Sequence, residues 1–194
     1  MSYHIYTTAG IVLKKNHFNE ANSLFYILTE DLGLIIASAQ GVRLQSSKLG
    51  SSLQEFSLVT LSCVKGKGGW KITNSIAREN FFFDKPIYVQ KFITNLSRVL
   101  IRMMPGEENN QDIFYLVEGS FSWLKNLSKE SIDSFEILCN LRVLHNLGYV
   151  DRNPGTEVFL GSSDKWDELL LCKVLKNKNL LLGYINKGLK ESHL

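Results

Sequence analysis

Cysteine is scarce in this chain, with three among 194 residues, and no two of them form a C-x-x-C pair. Cys63, Cys139 and Cys172 offer neither an even-numbered disulfide framework nor the clustered ligands of a zinc site. They read as buried thiols in a reducing compartment. The four histidines (His4, His17, His145, His193) are equally scattered. Proline is as rare as cysteine, and no low-complexity tract suggests a disordered tail. Long hydrophobic runs are missing. No stretch approaches a membrane span, and "MSYHIYTTAGIVLKK" has no apolar run preceded by positive charge, so no signal peptide is read. The expectation is a cytoplasmic protein with no membrane partner. Catalytic signatures are missing too: no P-loop, H-E-x-x-H, G-x-S-x-G or dinucleotide fingerprint occurs. No enzymatic activity, cofactor or metal is expected.

What remains is ordinary soluble composition, 44% hydrophobic and 21% charged, enough to bury a core. The net charge of +3 is small, but it is unevenly spread. Residues 1–80 hold eight Lys or Arg against five acids, whereas residues 81–194 hold fourteen of each. Any polyanion-binding surface therefore belongs to the first part.

The two parts also differ in period. "TTAGIVLKK" (7–15), "SLFYILTE" (23–30), "LIIASAQ" (34–40), "FSLVTLSCVK" (56–65) and "WKITNS" (70–75) read as short strands. "DLG" and "GKGG" supply turns. Five such strands suit an OB-fold barrel, although the periodicity also permits a small SH3-like barrel. From Asp84 and Pro86 onward the spacing is helical. Val89, Phe92, Ile93, Leu96, Leu100 and Met103 form one stripe, and Ile113, Leu116, Val117, Phe121 and Leu124 a second. A third helix starts near Ser128 and ends at Gly148 in a left-handed cap. Residues 151–164 read as a loop or short hairpin, followed by helices at about 165–175 and 179–191. The fold class is thus α+β: a five-stranded OB-fold barrel over 1–80, then an all-helical domain over 84–194.

Two basic segments stand out in the first part. "ASAQGVRLQSSKLG" (37–50) carries Arg43, Ser46, Ser47 and Lys48 after Gly41, with no acid. Glycine lets backbone approach a phosphate, Arg offers a fork, Lys a point charge and Ser a hydroxyl. A solvated connector would have the same composition. "KGKGGWK" (65–71) sets Lys65, Lys67 and Lys71 around a tight turn beside Trp70. Basic loops with an aromatic hold single strands on OB-folds, but Trp70 alternates with Ile72 and so faces the core. Lys14 and Lys15 could extend a basic face or be merely solvated.

In order along the chain, "GIVLKK", "NEANSLFYILTEDLG" with Glu20, "ASAQGVR…SSKLG", "LQEF", "MMPGEENNQDIFYL", "FEILCNLRVLHNLGY" and "GYINKGLKESHL" resemble the RecO family of bacterial recombination mediators. The resemblance covers nearly the whole chain. It implies a non-enzymatic role in DNA repair and recombination. Such a protein binds single- and double-stranded DNA, anneals complementary strands, and works with RecR to load recombinase onto strands coated by single-strand-binding protein. It also implies that the helical domain docks the acidic, phenylalanine-ended C-terminal tail of single-strand-binding protein. Arg98, Arg102 and Arg142 lie on otherwise apolar helices there, though each could simply cover a core edge. Glu20, matched to a family acid, is expected to make a structural hydrogen bond.

Many family members carry four zinc-binding cysteines after the Leu-Gly-Tyr helix. Here that place holds "VDRNPGTEVFLGSSDKW", so this is expected to be a short member without zinc. Tyr149, Val158, Phe159 and Trp166 are expected to pack back onto the helices instead, with Cys139 and Cys172 buried. The competing reading is a protein-interaction scaffold with an OB-like barrel and only incidental DNA contact.

Overall fold

The computed structural model describes residues 4–18, 20–45, 47–161 and 166–191. Ser46 and His193, named above, lie outside them. The strands are β1 (Ile5–Phe18), β2 (Asn22–Thr29), β3 (Gly33–Ala39), β4 (Ser57–Gly66) and β5 (Gly69–Asn80). They close into a barrel of order β1-β2-β3-β5-β4. Every pairing is antiparallel except β3 with β5. This is the five-stranded OB barrel rather than the SH3-like alternative.

Alternation builds the barrel. Phe25 and Ile27 of β2, Ile35 and Ala37 of β3, Val59, Leu61 and Cys63 of β4, and Trp70 and Ile72 of β5 all point inward. Burying a large side chain of this kind contributes ~1.5–3 kcal/mol before entropy. Helix α1 (Lys48–Ser52) was not legible within the basic segment. It forms because Leu49 and Leu53, one helical turn apart, close the barrel together with Val42.

Two compact units result. The first is Met1–Lys85 with Pro105–Phe114, and the second is Pro86–Met104 with Tyr115–Leu194. The segment that breaks the helical run thus returns to the barrel. There the Leu34 N–H donates to Gly106 O at 2.9 Å, and Gln111 Nε2 donates to Asp31 Oδ1 at 3.3 Å.

The second unit is built from α2 (Ile87–Met103), α4 (Ile132–Asn146), α5 (Glu168–Lys176) and α6 (Lys178–Glu191), with most of α3 (Gln111–Trp123). Helix α4 is its axis, buried along most of its length and packed by α2, α5 and α6. Gly148 closes it at φ +81, the left-handed cap expected. Around Phe135 gather Phe92 and Trp123, each at 5.2 Å, and Trp166 at 4.9 Å between ring centroids.

The segment after α4 has turns and no strand among its described residues. Phe159 is buried as expected, and Tyr149 and Trp166 are half-buried. Val158 is not: it is 57% exposed. Cys172 is exposed as well, because α5 buries Leu171 and Val174 and turns its other faces to solvent. Arg142, a candidate for the tail-docking groove or for covering a core edge, is only 2% exposed. Its Nε donates to Phe159 O at 3.0 Å, and its guanidinium lies 4.5 Å from the Trp166 ring centroid. It ties the loop to α4.

Candidate nucleic-acid interface

A bulge in β1 sets the outer face of the barrel. Val12 is opposite Ile27, but the next pair is Lys14 with Tyr26, so Leu13 is the extra residue. Leu13 stays buried, and Lys14 is turned out beside Tyr26. Two rows then run across the outer face. One is Lys14–Tyr26–Ile36, and the other is Asn16–Leu24–Ser38–Lys71. Lys14 Nζ lies 5.8 Å from the Tyr26 ring centroid. Ile36 is 50% exposed and Phe18, next along β1 on the same side, is 53% exposed. Ser38 Oγ donates to Trp70 O at 3.2 Å, which fixes β3 against β5. The face is therefore an aromatic and aliphatic strip with Lys14 on one flank and Lys71 on the other.

The remaining candidates surround this strip unevenly. Arg43 is exposed in the turn after β3. Its N–H donates to Ala21 O at 3.1 Å, and Gly41 N–H donates to Asn22 Oδ1 at 3.0 Å. Gly41 adopts φ +62, so its place in this turn accounts for the glycine. Arg43 thus stands at the β1–β2 turn. Ser47 precedes α1 and makes no capping bond with its side chain, and Lys48 is exposed on that helix.

The parallel pairing puts Lys71 beside Ser38, so the β4–β5 turn with Lys67 lies back toward the start of β3. The two basic segments therefore flank opposite ends of the strip rather than meeting. Lys15 faces the other way from Lys14, with Nζ 5.7 Å from the Phe25 ring centroid.

Lys65 is committed elsewhere. It forms an ion pair with Glu107 of the returning segment and lies 5.4 Å from the Trp70 ring centroid. The Lys65 hydrogen bond holds the Glu107 carboxyl below the usual carboxylate range, and the nearby Trp70 indole helps from beyond bonding distance. Trp70 itself is 5% exposed and meets Tyr6 edge-on at 5.2 Å, a core residue as its alternation with Ile72 implied. Glu20 is exposed in the β1–β2 turn. The acid that bonds into the barrel is Glu55, whose Oε1 accepts the Lys15 N–H at 2.8 Å.

Tyr26, Leu24, Ile36 and Phe18 were passed over in the sequence. The signal was there: within "SLFYILTE", Leu24 and Tyr26 alternate with the inward Phe25 and Ile27. The density of apolar residues hid the alternation. Among the described residues, no group of three or more His, Cys, Asp or Glu could hold a metal ion.

Residues 1–80 match the family model described as Recombination protein O N terminal. The chain is similar to a DNA repair protein RecO of Thermodesulfovibrio yellowstonii, 31% identical over 75% of this chain and 58% of that protein. It is similar to one of Dehalococcoides mccartyi, 27% identical over 66% of this chain and 51% of that protein. A third, from Clostridium perfringens, is 25% identical over 92% of this chain and 66% of that protein. The matched regions thus span between about half and two thirds of these relatives' length.

Proposed function

The chain belongs to the RecO family, and from that premise we propose that it is a DNA repair protein whose barrel binds single-stranded DNA along its outer face. The observation that carries this reading is the strip of Phe18, Leu24, Tyr26 and Ile36 between Lys14 and Lys71. Bases stack on rings and aliphatic surface of this kind without regard to sequence, and flanking cations track the phosphates. Arg43, Lys48 and Lys67 extend the positive charge beyond the two ends. Lys65, held by Glu107, is the least available of the candidates.

The same face would serve duplex binding and annealing, and the resemblance adds RecR as the partner in loading recombinase. In the helical unit, a cavity of about 310 Å³ is lined by Val158, Leu169 and Leu170, with Arg142, Lys173 and Asp167. Leu169 is 78% exposed. Exposed apolar side chains beside Lys173 suit an acidic tail ending in phenylalanine, the end of single-strand-binding protein.

The test is a salt titration of oligonucleotide binding. Replacing both Lys14 and Lys71 with Ala is expected to weaken binding to all sequences alike. It should lower the salt slope by about 0.7 for each single-strand phosphate that the variant no longer neutralises. A folded double variant with unchanged affinity and slope would show that the barrel binds elsewhere, or that it is a protein-binding scaffold.

A further inference from the structure

A second aromatic site lies on the other side of the same β1–β2 hairpin. It is a cavity of about 290 Å³ among the end of β1, residues 54–56 and residues 82–83. Phe56 forms its floor at φ +62, a conformation that costs a non-glycine residue ~1–2 kcal/mol. Two backbone bonds hold it there: the Phe56 N–H donates to Val12 O at 2.6 Å, and the Phe81 N–H donates to Phe56 O at 3.1 Å. So held, the Phe56 ring stacks on Phe82 at 4.7 Å and 30°.

Asn80 locks the two walls together. Its Oδ1 accepts the N–H groups of both Phe82 and Phe83 at 2.9 Å. Its Nδ2 donates to Glu55 O at 2.9 Å and Ser57 Oγ at 2.8 Å. Glu55 in turn receives the Lys15 N–H, which fixes the third wall. A strained residue and a fully bonded asparagine thus hold open a cleft whose rim residue, Phe83, is 57% exposed. Packing alone would not leave an aromatic exposed on so rigid a frame.

The lining chemistry defines the occupant. Three phenylalanines supply ring faces, and Lys15 and His17 stand at the end of β1 as cationic or proton-donating groups. Gln54 donates from Nε2 to Gly50 O, which leaves its carbonyl oxygen to accept from a ring N–H such as that of a thymine imide. The one carboxylate, Glu55, is engaged by backbone. A flat heterocycle carrying a phosphate fits this set. His17 is also followed directly by Phe18, which belongs to the outer strip.

We infer that this cleft receives one unstacked nucleobase of a single strand lying on the outer face, with Lys15 and His17 against the adjoining phosphate. The inference rests on the reading that the barrel binds single strands. Its role is to select strands whose bases are free, since a duplex base is already stacked and paired.

The test measures binding of the full chain to labelled oligothymidylate, to a blunt duplex and to an abasic strand of equal length. Phe83→Ala is expected to weaken oligothymidylate binding about tenfold, within the range for removing one base–aromatic stack. It should leave the salt slope, the duplex and the abasic strand unchanged, and Phe83→Trp should restore affinity. Lys15→Met, which spares the aromatic walls, should instead lower the salt slope.

Equal loss on all three ligands, or no loss on oligothymidylate, would overturn the cleft as a base site. So would a phenylalanine-bearing peptide that fills the cleft while strand binding stays intact. If the Lys14 and Lys71 variant weakens binding while the Phe83 variants do not, only the cleft fails. If the unaltered chain binds no strand at all, the underlying reading fails first.

Discussion

Among single residues, the three cysteines have separate fates. Cys63 sits inside the barrel and Cys139 inside the helical unit, whereas Cys172 is exposed on α5. Burial pushes the Cys63 thiol from 9.0 up to about 11, and Cys139 rises for the same reason. Since the thiolate is the nucleophile, both stay inert while folded. An aromatic disulfide reagent at mildly alkaline pH is expected to label one thiol quickly, and two more only in denaturant. Cys172→Ser should abolish the fast phase, and rapid labelling of two thiols in the folded chain would contradict this assignment. A raised thiol pKa means that the folded state holds its proton more tightly. Cys63 therefore leaves stability untouched below the ordinary thiol pKa and erodes it as pH climbs from about 9 toward 11, and Cys139 acts in the same direction. Leu169 and Leu170, just before Cys172, make its neighbourhood apolar in sequence. On α5, however, only Leu171 and Val174, three apart, face inward.

At the scale of elements, the turn between β2 and β3 decides where the returning segment sits. Gly33 adopts φ +70, and a Cβ there would lie 2.2 Å from Glu108 O and 2.8 Å from Gly106 O. Gly33→Ala must therefore strain the turn and push away the segment that brings Glu107 to Lys65. We expect a loss of at least ~1–2 kcal/mol from the backbone conformation alone, read from the urea midpoint. Glu107→Gln removes only a half-exposed ion pair, worth ~0–1 kcal/mol, and should cost less than Gly33→Ala. Because the folded state lowers the Glu107 pKa, that small contribution is present above the ordinary carboxylate pKa. It disappears as pH falls through the folded value, so the variant and the parent should converge in acid. If Gly33→Ala were as stable as the parent, the returning segment would not be anchored as described. All five strands were legible because each alternates over one buried face. Helix α1 was not, since five residues are too few to show a helical period.

On the scale of the whole molecule, the proposed strand-binding and tail-binding sites fall in different compact units. The double variant at Lys14 and Lys71 should therefore keep full affinity for an acidic peptide ending in phenylalanine. Leu169→Asp and Lys173→Glu should weaken that peptide and spare oligonucleotide binding. Fluorescence anisotropy with each labelled ligand measures both, and loss of both ligands from either variant would merge the two sites into one.

The sequence by itself determined the barrel followed by helices, the charge excess of the first eighty residues and the inward turn of Trp70. Each follows from a local period or count. Only the tertiary structure decided which cations share a face. One extra residue at Leu13 turns Lys14 outward, and the parallel pairing of β3 with β5 sets Lys71 across from it. Lys65 is taken up by Glu107, forty-two residues away in the chain. Cross-strand register and ion pairing over such separations depend on how the whole barrel closes, and no local pattern records them.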